Sequence, residues 1–569
     1  MINLSKRTLV ILLIAIIGIG SGVGIGVYFL FFNRESPSNE PPGAFTLSSD
    51  ADNPDDDGTF TLTWDAADRA MNYSVYRFSS NITVINSSLT TLATSITNLS
   101  RSLSGYSNGT YYFIVVAHNA QGNTLSNCHR VIVAVPPENW ITPGVIGISE
   151  EKWIKIGLMG DKGKLEGDQN YMGGYLAAKK INQEGGVVVN GSTYYIAIAS
   201  GDTDEQAEDF SAAAGVAAAV KMINESGVQF AIGGFKYEAL VAYRDPFMDN
   251  HIPFLSTGSM NDYLCVDVGN DYPHYKYYWR VTPYNSSYSS ITFVSNTLGM
   301  YQTLQATYGS DDINHIGILA ENLPWTQGIR MGIPGIIDST FGPGTVPSGG
   351  IIAFDPEVSP IVMNAHLQQL EDVGCDVVLI AISLGAGLTM TQQWAQAERP
   401  FLLFGSNIQA QTAGYWDKTN GACEYEIGST TATRCNKTPH TIEFYDMFFT
   451  EFNEHPIYIG FGAYDAVNLI VDSIEKTQSF DPDDFVADME TYTPSNPKHG
   501  GAGGDPVAWN SNHDLIAGYP FSYGVWFQWY NGTKTLIPSF AYNNPEYPST
   551  LAPMGTMKIP DWFGWDLVP

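Results

Sequence analysis

The sequence is poor in basic residues, and this shortage narrows the classes of partner that the protein can have. It contains 27 Lys and Arg against 58 Asp and Glu, a formal net charge of -31 over 569 residues. A field of that sign repels phosphate backbones and anionic lipid headgroups, which argues against nucleic acid as a partner. We interpret the acidity as a solubilising or salt-adapted surface. The length predicts several domains, and a hydrophobic content of 44% is sufficient for buried cores.

Cysteine is also scarce, with five residues in the chain. No Cys or His cluster has the spacing of a transition-metal site, so we predict no such metal and no cofactor. Cys423 and Cys435 bracket a short loop, and on an oxidising exterior a disulfide between them would stabilise the fold by roughly 3 kcal/mol. The remaining three, Cys128, Cys265 and Cys375, are predicted to be single buried thiols.

Catalytic signatures are missing as well. The chain has no Gly-x-Ser-x-Gly elbow, no His-Glu-x-x-His motif and no Walker loop. The glycine-rich stretch 499–504 is not accompanied by a nucleophile motif. The paired acids Asp483 and Asp484 fall at the start of a predicted helix, where carboxylates favour the helix dipole. We therefore predict that the protein is not an enzyme.

A long uncharged stretch near the N-terminus predicts a membrane anchor. Residues 8–32 carry no charge and follow Lys6 and Arg7, and the hydrocarbon core of a bilayer requires only about 20 helical residues. We expect a transmembrane helix over 8–32, with residues 1–7 in the cytoplasm and the bulk of the chain extracellular. A cleavable signal peptide is the alternative, although no small-residue cleavage site ends the stretch.

Asn-x-Ser/Thr tripeptides independently favour an extracellular location, because they carry glycans only on the translocated side of a membrane. Ten follow the predicted anchor, and five of them are crowded between residues 72 and 108. The predicted glycosylation sites are Asn72, Asn81, Asn86, Asn98, Asn108, Asn190, Asn224, Asn285, Asn436 and Asn531.

The region after the anchor predicts a small β domain. Residues 33–42 form a Pro-rich polar linker, and residues 43–137 contain short stretches of alternating apolar and polar residues separated by turn residues. This pattern is typical of a β-sandwich. The placement of Trp64, of Tyr73 and of the segment 112–122 resembles a fibronectin type III module, whose expected role is to space the rest of the chain from the membrane.

One acidic turn in this region has two interpretations. Asn53, Asp55, Asp57 and Gly58 match the first half of an oxygen-rich calcium loop. The twelfth position of such a loop needs a Glu, and Trp64 occupies it here. We favour a solvated acidic turn over a calcium site.

The larger part of the chain predicts an α/β fold. An apolar strand over 154–159 is followed by a polar glycine loop, a helix with apolar residues at helical spacing over 175–181, and a second strand over 194–199. This strand, helix, strand order recurs to about residue 540, which indicates mostly parallel sheets covered by helices.

A set of motifs occurs along this part in the order of a known family. They are Ile181-Asn182-x-x-Gly185-Gly186, Ser200-Gly201-Asp202, Phe230-Ala-Ile-Gly233-Gly234, Ile252-Pro253-Phe-Leu-Ser256-Thr257-Gly258-Ser259, Tyr278-Trp279-Arg280, Ile316-Gly-Ile-Leu-Ala320, Asp376-Val-Val-Leu-Ile380, Gly462-Ala-Tyr464-Asp465-Ala466 and Trp526-Phe-Gln528-Trp529. Over about residues 150–540 the chain resembles the type I periplasmic solute-binding proteins of the leucine/isoleucine/valine-binding family.

The resemblance implies a bilobal domain of two parallel-sheet lobes joined by three crossovers. Ligands of such sheets dock at the carboxyl ends of the strands. The tail 541–569, rich in Pro and Trp, lies outside the resemblance. The implied lobes are about 150–284 with 435–510, and about 285–434 with 511–540.

The resemblance also implies a function. A cleft that closes over a small polar solute, an amino acid or a related compound, would deliver it to the permease and ATPase subunits of an ABC transporter. Two alternatives stay open: the ligand-sensing ectodomain of a receptor complex, and a surface or adhesion protein without a transport role.

Carried over residue by residue, the family's ligand contacts fall on loops of both lobes, and three positions depart from the family pattern. Tyr237 replaces a small hydroxyl residue, Met260 replaces a residue that is often a hydroxyl, and Asn407 replaces the acid that would meet a ligand's ammonium group. Either Glu166 or Glu238 would then have to replace that acid. The predicted ligand-binding residues are Lys164, Glu166, Tyr237, Glu238, Ser256, Thr257, Gly258, Ser259, Trp325, Ser383, Leu384 and Asn407.

Overall fold

The computed structural model describes residues 40–51, 55, 58–104, 106, 109–133, 140–206, 212–224, 227–309, 313–541, 547, 551 and 555–565. They form two compact units, one holding the described residues up to Ala51 and Gly58–Val133, the other holding Asp55 and the described residues from Trp140 onward. The predicted anchor at 8–32 lies outside the described residues. Within the described ranges, no helix combines the length and apolarity of a membrane span.

The first unit is antiparallel throughout, which confirms the predicted β domain at that level. A three-stranded sheet has the order β1-β2-β5, and a second has the order β4-β3-β6-β7 with β8 on β6. Aromatic pairs connect the two sheets, with ring centroids 5.6 Å apart for Phe60 and Phe113 and 5.8 Å apart for Trp64 and Tyr73. The strands are β1 Leu47–Ser49, β2 Phe60–Trp64, β3 Asn72–Phe78, β4 Thr90–Ile96, β5 Ser100–Leu103, β6 Gly109–Asn119, β7 Gly122–Leu125 and β8 His129–Val133.

The second unit begins with a six-stranded sheet, the first lobe, in which all pairings are parallel except the hairpin β10–β11. Its strands are apolar on both faces because helices cover both. The elements are β9 Trp153–Gly160, α1 Leu165–Gln183, β10 Val187–Val189, β11 Ser192–Asp202, α2 Ala212–Asn224, β12 Phe230–Gly233, α3 Tyr237–Asp249, β13 Phe254–Ser256, α4 Tyr263–Asn270, α5 Tyr272–Tyr275 and β14 Tyr278–Arg280.

The chain then passes to a second lobe, built on a seven-stranded sheet. Its interior strand β17 is buried at all six positions. The elements are α6 Ser286–Tyr308, β15 Ile316–Glu321, α7 Gln327–Met331, α8 Ile333–Phe341, β16 Ile351–Phe354, α9 Pro360–Asp372, β17 Val377–Ile382, α10 Ala386–Gln396, β18 Leu402–Asn407, α11 Tyr415–Thr419 and β19 Ile427–Thr430.

Three helices return to the first lobe, where α13 packs along α1. They are α12 Thr441–Phe452, α13 Tyr458–Thr477 and α14 Pro482–Met489, after which β20 Val525–Tyr530 and β21 Thr533–Ile537 complete the second sheet. That sheet has the order β16-β15-β17-β18-β19-β20-β21. The chain therefore crosses between the lobes at 281–285, 431–440 and 514–524. Short 3-10 helices are Glu150–Lys152, Pro324–Thr326, Gln409–Gln411 and Asp561–Phe563.

The described part of the tail packs on the second lobe. Trp562 lies against Trp394 with ring centroids 5.6 Å apart, and its Nε1 donates to the carbonyl of Arg399 at 3.2 Å. Trp565 contacts Tyr308 with ring centroids 5.6 Å apart. These indoles extend the apolar core of that lobe.

The predicted Cys423–Cys435 disulfide is wrong for this structure, in which all five cysteines are free. The two thiols belong to different apolar clusters. Cys423 packs with Tyr415, Phe527 and Trp529, whereas Cys435 lies in the main core of the second lobe. Closeness along the chain does not place them side by side, because the loop between them contains strand β19.

Candidate ligand-binding cleft

A cleft of about 770 Å³ lies between the two lobes at the carboxyl ends of their strands. Both lobes and two of the crossovers contribute to its walls, as expected for a ligand site between two α/β sheets. The first lobe supplies Phe235, Lys236, Tyr237, Glu238, Gly258, Ser259, Met260, Asn261 and Tyr458. The second supplies Phe293, Leu323, Pro324, Trp325, Ser383, Leu384, Ser406, Ile408, Gln411, Ser429 and Thr430, and the crossovers supply Pro283, Tyr284 and Thr431.

The loop after β13 is held in place from below by a buried arginine. Arg280, at the end of β14, is completely buried, and its guanidinium donates to the carbonyls of Ser259 and Asn261, the latter at 2.7 Å. Its charge is compensated by Asp514, whose Oδ1 accepts from Nε at 2.6 Å. Arg280 is therefore a positioning residue for the cleft loop and does not itself line the cleft.

On the opposite wall, a buried glutamate organises the turn that follows β17. Glu321 ends β15 and accepts from the backbone N–H of Ser383 at 2.8 Å and of Leu384 at 2.9 Å, and from the Ser383 hydroxyl. Burial raises the pKa of this carboxyl to about 7, although these hydrogen bonds oppose the rise. Because Glu321 engages these donors, the turn presents mainly its apolar surface to a ligand.

Trp325, a residue of the cleft wall, has a donor without a partner. Its indole Nε1 is buried and has no hydrogen-bond partner, and the residue lines the cleft. A buried donor without a partner costs about 1–3 kcal/mol. An acceptor oxygen on a bound ligand would remove that cost.

The charge of the cleft is low. Lys236 and Glu238 are the only charged side chains among its described lining residues. Helices α3 and α13 begin at lining residues, and α10 begins two residues after Leu384. Helix N-termini carry partial positive charge and favour anions. The cleft therefore combines aromatic and apolar walls with one charge of each sign and the N-termini of helices.

Seven of the twelve predicted ligand-binding residues line the cleft, namely Tyr237, Glu238, Gly258, Ser259, Trp325, Ser383 and Leu384. The other five do not. Lys164 is exposed at the start of α1, and Ser256 is fully buried inside β13. Thr257 is also fully buried, and its hydroxyl donates to Asn170 Oδ1 at 2.8 Å.

Glu166 lies below the cleft wall and does not line it. Its Oε2 accepts from Gln206 Nε2 at 2.9 Å, and its Oε1 is buried without a partner. Burial raises the pKa of Glu166 to about 7, with a smaller contribution from the nearby Glu321. The idea that it replaces the missing acid of the family is not supported by this position.

Asn407 is a correction to the sequence prediction, because it points away from the cleft. It is fully buried, and its Nδ2 donates to the Tyr415 hydroxyl at 2.8 Å and to Glu426 Oε1 at 2.9 Å. The neighbours Ser406 and Ile408 line the cleft instead, since successive side chains of a strand face opposite sides. An acid at position 407 would stand against the carboxyl of Glu426.

The sequence analysis missed most of the second-lobe wall and all of the crossover residues. Gln411 ends a short 3-10 helix, and Phe293 comes from within α6, far from any strand end. Tyr458 has a signal that could have found it, since it begins α13 next to the family motif at 462–466. Its hydroxyl donates to the carbonyl of Gly258 at 3.1 Å and joins α13 to the cleft loop.

No group of acids, histidines or cysteines that could hold a metal ion occurs among the residues that the structure describes. Of the predicted acidic turn, Asn53 and Asp57 lie outside those residues. The glycosylation candidate Asn108 also lies outside them.

Comparisons with known proteins agree on the fold of the second unit. The leucine-binding protein LivK of Thermotoga maritima is 16% identical, with 67% of this chain and 97% of that chain covered at a TM-score of 0.51. LivJ of Streptococcus pneumoniae, solved with isoleucine, is 15% identical, with 67% of this chain and 98% of that chain covered at a TM-score of 0.52. An ABC-transporter solute-binding protein of Rhodopseudomonas palustris, solved with 3,4-dihydroxybenzoic acid, is 14% identical, with 67% of this chain and 95% of that chain covered at a TM-score of 0.53.

These identities establish similarity of fold alone. A comparison with curated protein sequences yields no match. The periplasmic binding protein family model matches residues 167–522, more than half of the chain. The chain therefore belongs to the periplasmic binding protein family, whose members bind solutes and are not enzymes.

Proposed function

We propose that the protein is a membrane-anchored, extracellular solute-binding protein that captures a small carboxylate, an amino acid or an aromatic acid, and delivers it to an ABC-type permease with its ATPase. The observation that carries the proposal is the cleft itself. Its aromatic walls enclose a space with one lysine, one glutamate and an unpaired indole N–H. Closure of the lobes around such a ligand would shift the protein toward the closed form, which a permease would recognise.

The carboxylate is the part of the ligand that the cleft serves best. The N-terminus of α3 and the Lys236 side chain favour an anion on the first lobe, and the Trp325 N–H provides a donor on the second. Phe235, Tyr237 and Phe293 supply area for an apolar or aromatic body. Relatives solved with isoleucine and with 3,4-dihydroxybenzoic acid bind ligands that have both parts.

Glu238 is the residue that would decide between the two ligand classes. An amino acid's ammonium needs an acidic or fully hydrogen-bonded partner, and charge-assisted bonds contribute roughly 1.5–3 kcal/mol. Asn407 lies outside the cleft, so Glu238 is the acid available among the described lining residues. If Glu238 does not reach the ammonium, an aromatic acid is the better ligand.

The test is isothermal titration of the full-length chain with leucine, isoleucine, benzoate and 4-hydroxybenzoate. Trp325→Ala should weaken the binding of whichever ligand is accepted by about 2 kcal/mol, roughly 30-fold in Kd. Tyr530→Ala is the matched control, because Tyr530 is an exposed aromatic outside the cleft. Glu238→Gln should weaken amino acids and spare benzoates. Equal binding by the wild type and Trp325→Ala would contradict the assignment of the cleft.

The proposal also concerns the cellular location of the protein, which depends on its N-terminal region. Residues 8–32 would anchor the chain, and the antiparallel unit, in the manner of a fibronectin type III module, would space the binding domain from the membrane. Several sequon asparagines have exposed side chains, among them Asn81, Asn98 and Asn436. Alkaline extraction of membranes should leave the full-length protein in the pellet and release a chain lacking residues 1–32. Glycosidase treatment should lower its mass, and co-purification should recover a permease and an ATPase.

A further inference from the structure

A second cavity, open to solvent and about 610 Å³ in volume, lies on the crossover side of the binding domain and shares Thr431 with the lining of the cleft. Residues of all three crossovers line it, Thr282, Thr431 and Ser522 among them. Helix α13 and the glycine-rich stretch 499–504 form its other walls. The sequence analysis found no role for that glycine stretch.

A buried lysine lines this cavity without a carboxylate partner. The Lys437 side chain donates to the carbonyls of Thr431 and Tyr523, the latter at 2.9 Å, and lies 4.5 Å from the centroid of the Tyr523 ring. The residue is only 8% exposed. Burial lowers the pKa of Lys437 to about 8, so the ammonium is still mostly charged at neutral pH. An ammonium with carbonyl partners alone retains an uncompensated charge.

A carboxylate lines the same cavity from α13. Asp465 accepts from the backbone N–H of Ala502 at 2.7 Å and of Gly503 at 2.8 Å. A Cβ atom at Gly501 or Gly503 would lie 3.2 Å from this carboxylate, so glycine lets the stretch approach it without displacement. Burial raises the pKa of Asp465 to about 6, so the group is mostly ionised at neutral pH.

Lys437 and Asp465 do not form an ion pair. Their charges still interact across the cavity, since Asp465 acts to raise the pKa of Lys437 and Lys437 acts to lower the pKa of Asp465. Other charged groups here are already paired, as Lys498 Nζ lies 2.6 Å from Asp472 and His499 Nδ1 lies 2.6 Å from Asp505. A cavity that separates an ammonium from a carboxylate is complementary to a molecule that carries both charges.

We propose that this hinge cavity binds a small zwitterion, whose carboxylate meets the Lys437 ammonium and whose ammonium meets the Asp465 carboxylate. Such a ligand would contact Lys437 and Asp465, neither of which lines the cleft, although Thr431 lines both cavities. The proposal does not depend on the transport ligand, and either assignment can fail without the other.

Isothermal titration of the full-length chain tests this, with glycine, β-alanine and γ-aminobutyrate as probes of increasing charge separation. At least one of them should bind, and acetate and methylammonium, each with a single charge, should bind at least about tenfold more weakly. Lys437→Met and Asp465→Asn should each lower the affinity by about tenfold or more, whereas Lys437→Arg should retain it.

Two controls separate this site from its surroundings. Lys276→Met removes a lysine that pairs with Asp483 at 2.6 Å and lines neither cavity, and it should change the affinity by less than about threefold. Trp325→Ala weakens any binding of the probes in the cleft, and the effects of Lys437→Met and Asp465→Asn on the remaining zwitterion binding should be the same in that background. Unfolding midpoints identify variants that fail to fold, and Asp465→Asn provides the test if Lys437→Met does so. Absence of binding by all three probes, binding that survives both charge variants, or binding lost with Trp325→Ala would overturn the proposal.

Discussion

Removing the carboxylate of Asp514 should destabilise the binding domain by about 3–5 kcal/mol, because it leaves a buried guanidinium without its counter-charge. Arg280 is completely buried, and Asp514 is 6% exposed. The Arg280 Nε donates to Asp514 Oδ1 at 2.6 Å, and Asp514 Oδ2 accepts from Asn285 Nδ2 at 2.8 Å. Asp514→Asn keeps the shape of the side chain, removes the charge and turns one of the two accepting oxygens into a donor. The loss therefore combines the uncompensated arginine with one lost hydrogen bond.

An exposed pair of the same chemistry provides the control. Arg434 and Asp446 form two parallel hydrogen bonds of 2.8 and 2.9 Å, yet both side chains are about half exposed at 52% and 53%. Solvent screens such a pair, so Asp446→Asn should cost only about 0–1 kcal/mol. The better hydrogen-bond geometry belongs to the pair with the smaller predicted effect, which makes burial the variable under test.

Urea unfolding followed by intrinsic fluorescence measures both variants, with the free energy of unfolding obtained by linear extrapolation. The double variant Arg280→Met/Asp514→Asn should recover part of the loss, since it no longer buries a lone charge. The reasoning is refuted if Asp514→Asn and Asp446→Asn differ by less than about 1 kcal/mol. A double variant that is less stable than Asp514→Asn alone would also count against it.

Three further predictions concern stability. Burial raises the pKa of Glu205 to about 8. The folded state therefore holds this proton more tightly than the unfolded state, and stability falls as the pH rises from about 4.5 to 8. Glu205→Gln should raise the unfolding midpoint at pH 8.5 but not at pH 5, and equal shifts at the two pH values would contradict this. Reducing agent should leave the midpoint unchanged, because Cys423 and Cys435 are free; a fall would indicate a disulfide. Trp562→Ala should cost about 3 kcal/mol by urea unfolding, since the indole packs on Trp394, and a loss below about 1 kcal/mol would show that the tail does not stabilise the lobe.

The arrangement of elements was largely predictable, because it depends on local patterns. The alternation of apolar residues indicates β strands in the first unit, and the repeated strand, helix, strand order indicates parallel sheets in the second. Loops after parallel strands meet at one sheet edge, so the segments around Tyr237, Ser259 and Ser383 could be assigned to the same cleft from their positions in that order.

The individual side chains of the site were less predictable. Asn407 is one residue away from two that line the cleft, and a shift of one position in a strand moves a side chain to the opposite face. The role of Glu321 depends on a turn 62 residues further along the chain, and that of Arg280 on Asp514, 234 residues away. No local sequence pattern predicts pairs of residues that are so far apart along the chain.

The amino-acid sequence alone determined the α/β and antiparallel classes of the two units, the ordered motifs of a solute-binding family and the absence of catalytic signatures. Only the tertiary structure decided which side chains face the cleft, that Cys423 and Cys435 are kept apart, and that Lys437 and Asp465 share a cavity. The physical reason is that periodicity is a property of neighbouring residues. Burial, pairing of charges and the occupancy of donors arise from contacts between segments that are distant along the chain.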